Sequence, residues 1–575
     1  VRTVGGRLEA TGAEVRPFDR EQAVAAARWF RRRGVRALGV CFLHSYANPA
    51  HEQAMLEVLA AEHPEAVISL SSDVLREYRE YERSMTTLVD AAVKPRVAGY
   101  VSGIAGRLRG LAGHDLPFAI MKSNGGVLSA AEIVKQPITT VLSGPAAGAL
   151  GAALVARTAG FDKVLTCDGG GTSTDVTVVL DGRPTLTTEG GVGGYPTRIP
   201  MIDVVTVGAG GGSIAWISPE GTLKVGPRSA GADPGPICYG TGGTEPTVTD
   251  AHLTLGRIPP ALLGGEIPLD VGAAVAGIEA LGGKLGLDAA ACAGGILEIS
   301  AWNQANALRQ VSVKRGLDVR DFVLTTFGGS GSLLACRLAD ILGVRAVVVP
   351  PDPGNLSAFG LLTVDVRIDY VQTAVQGHDQ LDLGRLAGVY ADLEGRASAA
   401  LDAEGFPPEQ RQLVRSADLR YAGQAYEVRV DAPGGVVGPA FAAAVAGAFH
   451  AAHEQLYGYS FAGRADQRVE WVNLRVTGVG PIRRPDLRRH PDADRPDAER
   501  ARTGSRPACF DAGFTQVPVY RRDRLLPGDA VPGPAVIEEY GSTVPLHPGY
   551  TARVDGYRNL VITHASRPGE AEQWR

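Results

Sequence analysis

Two aspartates bracket a run of three glycines and three hydroxyl side chains: Asp168-Gly169-Gly170-Gly171-Thr172-Ser173-Thr174-Asp175. Glycine has no Cβ, so backbone N–H groups in such a run can approach an anion closely. The hydroxyls add further donors, and the carboxylates of Asp168 and Asp175 can hold a hydrated Mg²⁺ or Mn²⁺ through oxygen ligands. That combination is suited to gripping and transferring phosphate. The flanks set its shape. Lys163 to Cys167 reads as a buried strand, Val176 to Leu180 as a second, and Asp181-Gly182 as a two-residue hairpin turn. A P-loop or dinucleotide loop runs from a strand into a helix; here the glycine turn runs into a strand. The competing reading is an ordinary tight hairpin, and the acids flanking three hydroxyls favour phosphate.

Two more glycine turns follow. Gly208-Ala209-Gly210-Gly211-Gly212-Ser213 lies between the strands Asp203 to Val207 and Ile214 to Ile217. It is not a complete G-x-G-x-x-G, and Gly210, Gly211 and Gly212 are its candidate ligand-approaching residues. Phe327-Gly328-Gly329-Ser330-Gly331-Ser332 joins a strand to a helix from Leu333 to Leu342, which suits an adenine or ribose pocket beside a helix start. Gly328, Gly329 and Ser330 are its candidate contacts. Between these turns, Val225 to Asp250 reads as a long polar loop carrying Arg228, Asp233, Glu245 and Asp250. Loops of that length in compact domains are commonly functional. Arg228, Asp233 and Glu245 are read as substrate-lining, and Asp250 joins Asp168 and Asp175 as a candidate catalytic acid.

Elsewhere the default readings are structural. Arg79 and Arg83 share a helical face in Arg79-Glu80-Tyr81-Glu82-Arg83, expected to be solvated and salt-bridged. His450 and His453 are expected on a helix surface, and His44 in a structural loop. No G-x-S-x-G elbow and no H-E-x-x-H pattern is present.

The chain of 575 residues has a formal charge of −5, which leaves no electrostatic footprint for nucleic acid. With 74 glycines and 37 prolines the composition is that of turn-rich α/β and β architecture. Six scattered cysteines without a C-x-x-C exclude zinc ribbons and suit a reducing cytoplasm. The most apolar run, Gly144 to Ala156, is too short to span a bilayer and reads as a small-residue crossing helix. Residues 287 to 314 read as a helix pair. The first residue is Val1, and further chain is expected upstream.

At this point the residues resemble a known family, the A subunits of the hydantoinase/oxoprolinase group within the actin-like ATPase superfamily. The matching runs are CFLHSYANPAHE (Cys41 to Glu52), REYER (Arg79 to Arg83), SNGG (Ser123 to Gly126), SGPAAG (Ser143 to Gly148), DGGGTSTDV (Asp168 to Val176), VGAGGGSIAW (Val207 to Trp216), VGPRSAGADPGPICYGTGGTEPTVTDA (Val225 to Ala251), NLSAFG (Asn355 to Gly360) and RYAGQAYE (Arg420 to Glu427). The resemblance implies an α/β, ribonuclease H-like two-lobe ATPase fold with an incomplete first lobe, plus α+β and small C-terminal β domains. It places the remainder of the first lobe at 1–157, the second lobe at 158–365, an α+β domain at 366–481, a charged linker at 482–506 and the β domain at 507–575.

The same resemblance makes Asp168 to Asp175 the second phosphate loop, Phe327 to Ser332 the adenosine loop, and Ser143 to Ala156 and Asn355 to Gly360 connecting helices. It implies ATP with Mg²⁺ or Mn²⁺, a cyclic amide substrate (hydantoin, 5-oxoproline or lactam), and a B-type partner subunit in a hetero-oligomer without nucleic acid or membrane. The alternatives are a ketone carboxylase subunit and a non-catalytic remnant that binds a B subunit. The chain departs from the family pattern in three ways: no first phosphate loop precedes residue 163, Gly169 stands where methionine is usual, and Ser332-Leu333-Leu334 replaces Pro-Leu-His.

Overall fold

A computed structural model describes residues 1–192, 194–464, 467–511 and 513–565. The final stretch of the expected C-terminal domain, 566–575, lies outside the described residues. The chain divides into two units, each built from separate stretches: Val1–Ser143, Leu186–Ile202 and Val364–Arg483 in unit 1; Gly144–Thr185, Asp203–Thr363 and Arg484–Arg575 in unit 2. The expected linear division is therefore corrected. The 366–481 segment belongs with the N-terminal region, and residues 186–202 leave unit 2 to join it.

Unit 2 is built on a sheet whose strands are β1 (Val164–Gly169), β2 (Thr174–Leu180), β3 (Val204–Val207), β4 (Val323–Phe327), β5 (Val347–Val349), β6 (Ala530–Pro532), β7 (Tyr550–Val554) and β8 (Leu560–His564). Their spatial order is β3-β2-β1-β4-β5-β8-β7-β6. β1, β2 and β3 pair antiparallel, whereas β1, β4 and β5 run parallel. The central strands are buried along nearly their whole length, threonines included, because both faces are covered. Leu165 and Cys167 point into one core with Ile296, Leu297 and Leu308 of α3 (Ala289–Val313). Val164 and Val179 point the other way, toward Ala152, Val155 and Ala156 of α1 (Ser143–Thr158). Residues 287 to 314 thus hold one helix of 25 residues rather than a pair. The small residues of α1 allow a close crossing: a Cβ on Gly151 would sit 2.9 Å from the Leu356 carbonyl at the start of α5 (Leu356–Gly360).

The C-terminal strands divide: Arg502–Cys509, Phe514–Arg521, Ala535–Glu539 and Ser542–Leu546 form a four-stranded sheet of their own, and the other three complete the large sheet of unit 2. β8 pairs antiparallel with β5, and β7 and β6 extend the same sheet. Val531, Tyr550, Ala552, Leu560 and Ile562 share a core with Leu165 and Leu324. Alternation and turns in 507–562 identify strands but not their partners, since pairing is decided by tertiary contact. The 482–506 stretch carries no regular structure before residue 498, as its charge and prolines imply, but it is tied down: His490 N–H donates to Gly556 and Ala493 N–H to Pro527.

Unit 1 has a second sheet, in the order Val428–Ala432, Gln412–Tyr421, Val469–Gly480, Val366–Gly377, Val127–Ser129, Ala119–Met121. Leu386, Tyr390 and Leu393 of helix Leu383–Ala403, with Phe441 and Phe449 of helix Pro439–Tyr457, pack on a fully buried Trp471. A parallel pair, Ala37–Val40 with Val67–Leu70, is flanked by helices Arg20–Arg32 and Ala50–Glu62. Arg79 and Arg83 are not solvated. Arg83 is fully buried and donates to the carbonyls of Glu77 (3.0 Å) and Phe42 (2.7 Å), while Arg79 pairs with Glu427. His453 is also buried, between Gln424 and the Tyr459 carbonyl.

Because the C-terminal strands complete the sheet, Ile562→Ala is expected to destabilise all of unit 2 by about 2–5 kcal/mol, the range for truncating a buried isoleucine. Urea unfolding followed through Trp216 and Trp302, far from Ile562 in sequence, checks this. An unchanged midpoint would mean that the C-terminal segment folds as a separate body.

Candidate functional site

The three glycine turns, separated by some 160 residues of sequence, meet at the ends of β1, β2 and β4. The link is backbone to backbone. Gly211 N–H donates to the Gly170 carbonyl (3.0 Å), Gly212 N–H to Gly171 (2.6 Å) and Ser330 N–H to Gly169 (2.8 Å). The Ser330 hydroxyl adds a bond to the Gly170 carbonyl at 2.8 Å. Spacing this tight requires glycine. A Cβ on Gly210 would stand 2.7 Å from the Gly170 carbonyl oxygen and 2.7 Å from the Ser173 nitrogen. Gly328, at φ +81°, sits against Asp168 and Gly169. The first turn itself is closed by Gly170 N–H on the Ser173 carbonyl (2.9 Å), and the exit turn at Asp181-Gly182 has both residues at positive φ, as expected of a two-residue hairpin.

Around this junction lies a cleft of about 520 Å³. Gly170, Gly171, Gly211, Gly212, Gly329 and Ser330 line it, all from the three predicted turns. Gly169, Gly210 and Gly328 do not line it; they are the packing contacts that allow the others to. None of the three hydroxyl residues, and neither Asp168 nor Asp175, is in the lining of this cleft; they flank it on the same turn. Thr172 is exposed, Ser173 is half-buried, and neither side chain makes a hydrogen bond, so both are free for a ligand. Thr174 is buried, and its hydroxyl donates to the Ala209 carbonyl (3.0 Å). Its role is to hold the second turn. Gln304 of α3 does the same, donating from Nε2 to that carbonyl at 2.8 Å.

Asp168 and Asp175 are direct cross-strand partners on β1 and β2. Burial, assisted by the charge of Asp175, pushes the Asp168 carboxyl up to about 6, against the opposing bond from Ser357. Asp175 is also raised by burial, opposed by the Thr206 hydroxyl at 2.5 Å. Two half-buried carboxylates, both raised by burial, will also welcome a cation. Ser357 of α5 donates to Asp168 at 3.2 Å. The sequence reading had placed this serine only in a helix start, and nothing in its spacing from Asp168 could reveal the contact.

The Val225 to Asp250 segment is less of a loop than expected. Leu223–Ser229 is a strand paired with Ser213–Ile217, and α2 (Val248–Thr254) begins before the segment ends. Asp250 is fully buried in a capping box with Thr247, and it accepts from the N–H groups of Ile237, Cys238 and Thr247 and from the Thr247 hydroxyl. Its carboxylate is consumed in shaping the loop, which corrects the expectation of a catalytic acid. Arg228 and Glu245 pair with each other at 2.9 Å on the surface. From this segment the cleft takes Gly231, Pro236, Tyr239 and Thr249 instead; Arg228, Asp233 and Glu245 are absent from the lining among the described residues. The remaining lining comes from 258–267, Leu333, Arg521 and Glu538 to Thr543. Tyr540 reaches Glu266 across it with a 2.8 Å hydrogen bond. No glycine or acid motif marked these residues in the sequence.

Among the described residues, no helix is long and apolar enough to cross a membrane. Family models match three stretches: "Hydantoinase/oxoprolinase N-terminal region" at residues 1–63, "Hydantoinase/oxoprolinase" at 83–370, and "Hydantoinase/oxoprolinase C-terminal domain" at 377–565. The chain is 35% identical over 571 residues to caprolactamase subunit alpha of Pseudomonas jessenii, covering 98% of this chain and 81% of that one. The crystal structure of the ATP-dependent caprolactamase from that organism superposes with a TM-score of 0.88 at 34% identity, over 98% of this chain and 82% of the other. A nucleotide-free acetone carboxylase structure gives 0.78 at 25% identity, over 98% and 81%. The contiguous family matches, together with identity that extends over nearly the whole chain, make this protein a member of the hydantoinase/oxoprolinase family.

Proposed function

We propose that unit 2 binds ATP in the cleft and transfers its terminal phosphoryl group to the amide carbonyl oxygen of a cyclic amide, a hydantoin, 5-oxoproline or lactam, so that the ring can be opened by hydrolysis. The observation that carries this reading is the junction of three glycine turns beside the paired acids Asp168 and Asp175. Phosphoryl transfer asks for positioning and charge stabilisation more than for a covalent nucleophile. Here Gly170, Gly171, Gly211 and Gly212 let the phosphates approach because they carry no side chain, and Thr172 and Ser173 present unclaimed hydroxyls. Gly329 and Ser330 take the sugar side. The strand order β3-β2-β1-β4-β5, three antiparallel strands followed by two parallel, supports the actin-like, ribonuclease H-like reading of this lobe. Asp168 and Asp175 would hold Mg²⁺ or Mn²⁺; when bound, the ion neutralises charge on the phosphates. An amide carbonyl is a poor electrophile, and O-phosphorylation makes it open to water.

The named relatives are subunits, and a B-type partner subunit is proposed to complete the hydrolysis. The likeness to acetone carboxylase favours one second reading, in which the phosphorylated species is a ketone-derived enolate captured for carboxylation. The cysteines are free thiols, five of them buried, in keeping with a cytoplasmic protein.

ATP consumption measured with hydantoin, 5-oxoproline, caprolactam and a ketone with bicarbonate, each in the presence of a B-type subunit, tests the assignment. Turnover with a cyclic amide is expected; turnover with the ketone alone selects the second reading, and none with any overturns both. Asp168→Asn is expected to lower turnover by about 10²–10³, the size of losing one preorganised electrostatic group. Gly210→Ala is expected to weaken ATP binding by forcing the first two turns apart, measured by calorimetry; wild-type affinity would sink the role given to that contact.

Metal binding should follow the titration of Asp168. A carboxyl raised to about 6 is protonated below that pH and must lose its proton to receive a cation. Mn²⁺ binding without nucleotide, read by electron paramagnetic resonance, is therefore expected to strengthen as pH rises through about 6. A flat profile between pH 5 and 7.5 would show that Asp168 is not a ligand.

A further inference from the structure

Unit 1 holds a cavity of its own, about 370 Å³ in volume, to which no role has been given above. Part of its lining is apolar: Leu75, Ile133, Ile199, Ile368 and Val371. The rest is rich in cations, among them Lys122, Arg198, Arg429 and Arg475. The acids on the lining are already engaged. Asp369 accepts from Asn124 at 2.5 Å and Thr477 at 2.6 Å, Glu404 accepts from Ser129 at 2.7 Å, and Glu132 pairs with Lys135 at 2.6 Å. Behind the lining, Arg475 is bound by Asp418 (2.7 Å) and Glu77 (2.5 Å), and Arg198 by Glu77 (3.1 Å).

Arg198 Nε makes no hydrogen bond but lies 3.1 Å from Glu77; Arg429 and Lys122 keep unfilled donors as well. Arg429 reaches Asp418 through Nε alone, at 3.3 Å, and its Nη2 is buried without an acceptor. Lys122 is 6% exposed, and its ammonium makes one hydrogen bond, to the Arg367 carbonyl at 3.0 Å. An ammonium carries three donors and a guanidinium five. Buried polar groups are nearly always satisfied, so unfilled ones on a cavity wall call for a missing acceptor. Burial and the nearby Arg475 push the Arg429 pKa down against the pull of Asp418, Asp369 and Glu77, and burial does the same to Lys122 against that of Asp369 and Glu404. Acids and cations around the cavity are close to balance. Unfilled donors rather than a net field select the ligand, and they ask for one charge, not several.

We propose that this cavity binds a small carboxylate with an apolar body, its oxygens received by Arg429 and Lys122 and its chain laid against Leu75, Ile133, Ile199 and Ile368. A planar carboxylate matches a guanidinium fork. The apolar wall would leave the remaining oxygens of a phosphate without partners. This site is independent of the phosphoryl-transfer reading of unit 2.

Calorimetric titration of the full chain with hexanoate, hexanamide and inorganic phosphate tests it. Saturable one-to-one binding of hexanoate is expected, with hexanamide and phosphate weaker by about tenfold or more, a difference equal to one charge-assisted contact. Arg429→Met should weaken hexanoate binding by about tenfold while ATP binding stays as in the parent. Ala400→Phe, which fills the apolar side and leaves every charge in place, should abolish hexanoate binding and decides the matter should the arginine variant fail to fold. Absence of hexanoate binding up to about 10 mM, equal binding of hexanamide or phosphate, or parent-like binding by Ala400→Phe would overturn the proposal.

Discussion

The three backbone hydrogen bonds that fasten Gly211, Gly212 and Ser330 to the carbonyls of Gly170, Gly171 and Gly169 fix the geometry of unit 2. Each bond brings main chain within reach of main chain, and side chains are excluded from the contact. A cleft floored by backbone is stiff, because no rotamer can change there. The requirement propagates outward. β1, β2 and β4 must end at one level, so their registers must agree, and the cores on both faces of the sheet hold them to that agreement.

This constraint explains which parts of the site could be read from the amino-acid order. Glycine runs flanked by β-branched strands announce backbone turns, and Gly170, Gly171, Gly211, Gly212, Gly329 and Ser330 from those turns line one cleft. The acids announced themselves by bracketing hydroxyls. A hydroxyl's actual partner, however, depends on what stands opposite it. Thr172 and Thr174 are two positions apart and chemically identical, yet one is free and the other holds Ala209. Asp250 shows the same limit more sharply. An acid in a polar loop rich in proline and glycine reads as functional, and its capture by Thr247 and three N–H groups follows from a capping box that also fits the run Thr247-Val248-Thr249-Asp250.

The fold divided along a similar line. Helices and strands close in sequence were legible from pattern, as was the antiparallel excursion from β1 to β3. The chain's long-range economy was not. Strands near residue 560 finish a sheet begun at residue 164, and residues 186–202 cross into unit 1 before the chain returns. Alternation specifies a face for each residue but not a neighbour for each strand. A C-terminal run of short strands with tight turns is equally consistent with a free-standing barrel and with an edge added to an existing sheet. Only the burial of Leu560 and Ile562 on the far side of β5 separates the two.

The units handle charge in opposite ways. In unit 2 the glycine turns bring neutral backbone to the cleft, and Asp168 and Asp175 beside them sit with pKa values raised by their own burial, a state that costs stability and is relieved by a cation. In unit 1 the charges are buried as pairs: Arg475 with Asp418 and Glu77, Arg198 with Glu77 and Glu427. Paired burial of this kind contributes little net stability, because desolvation offsets attraction, but it strongly penalises any arrangement that separates the partners. The arginines of Arg79-Glu80-Tyr81-Glu82-Arg83 are part of that system rather than a surface decoration. They clamp the start of a long helix to Glu427 and to carbonyls beneath it. A network that specifies position so strictly tolerates an unfilled donor poorly, and the buried Nη2 of Arg429 is one that faces a cavity.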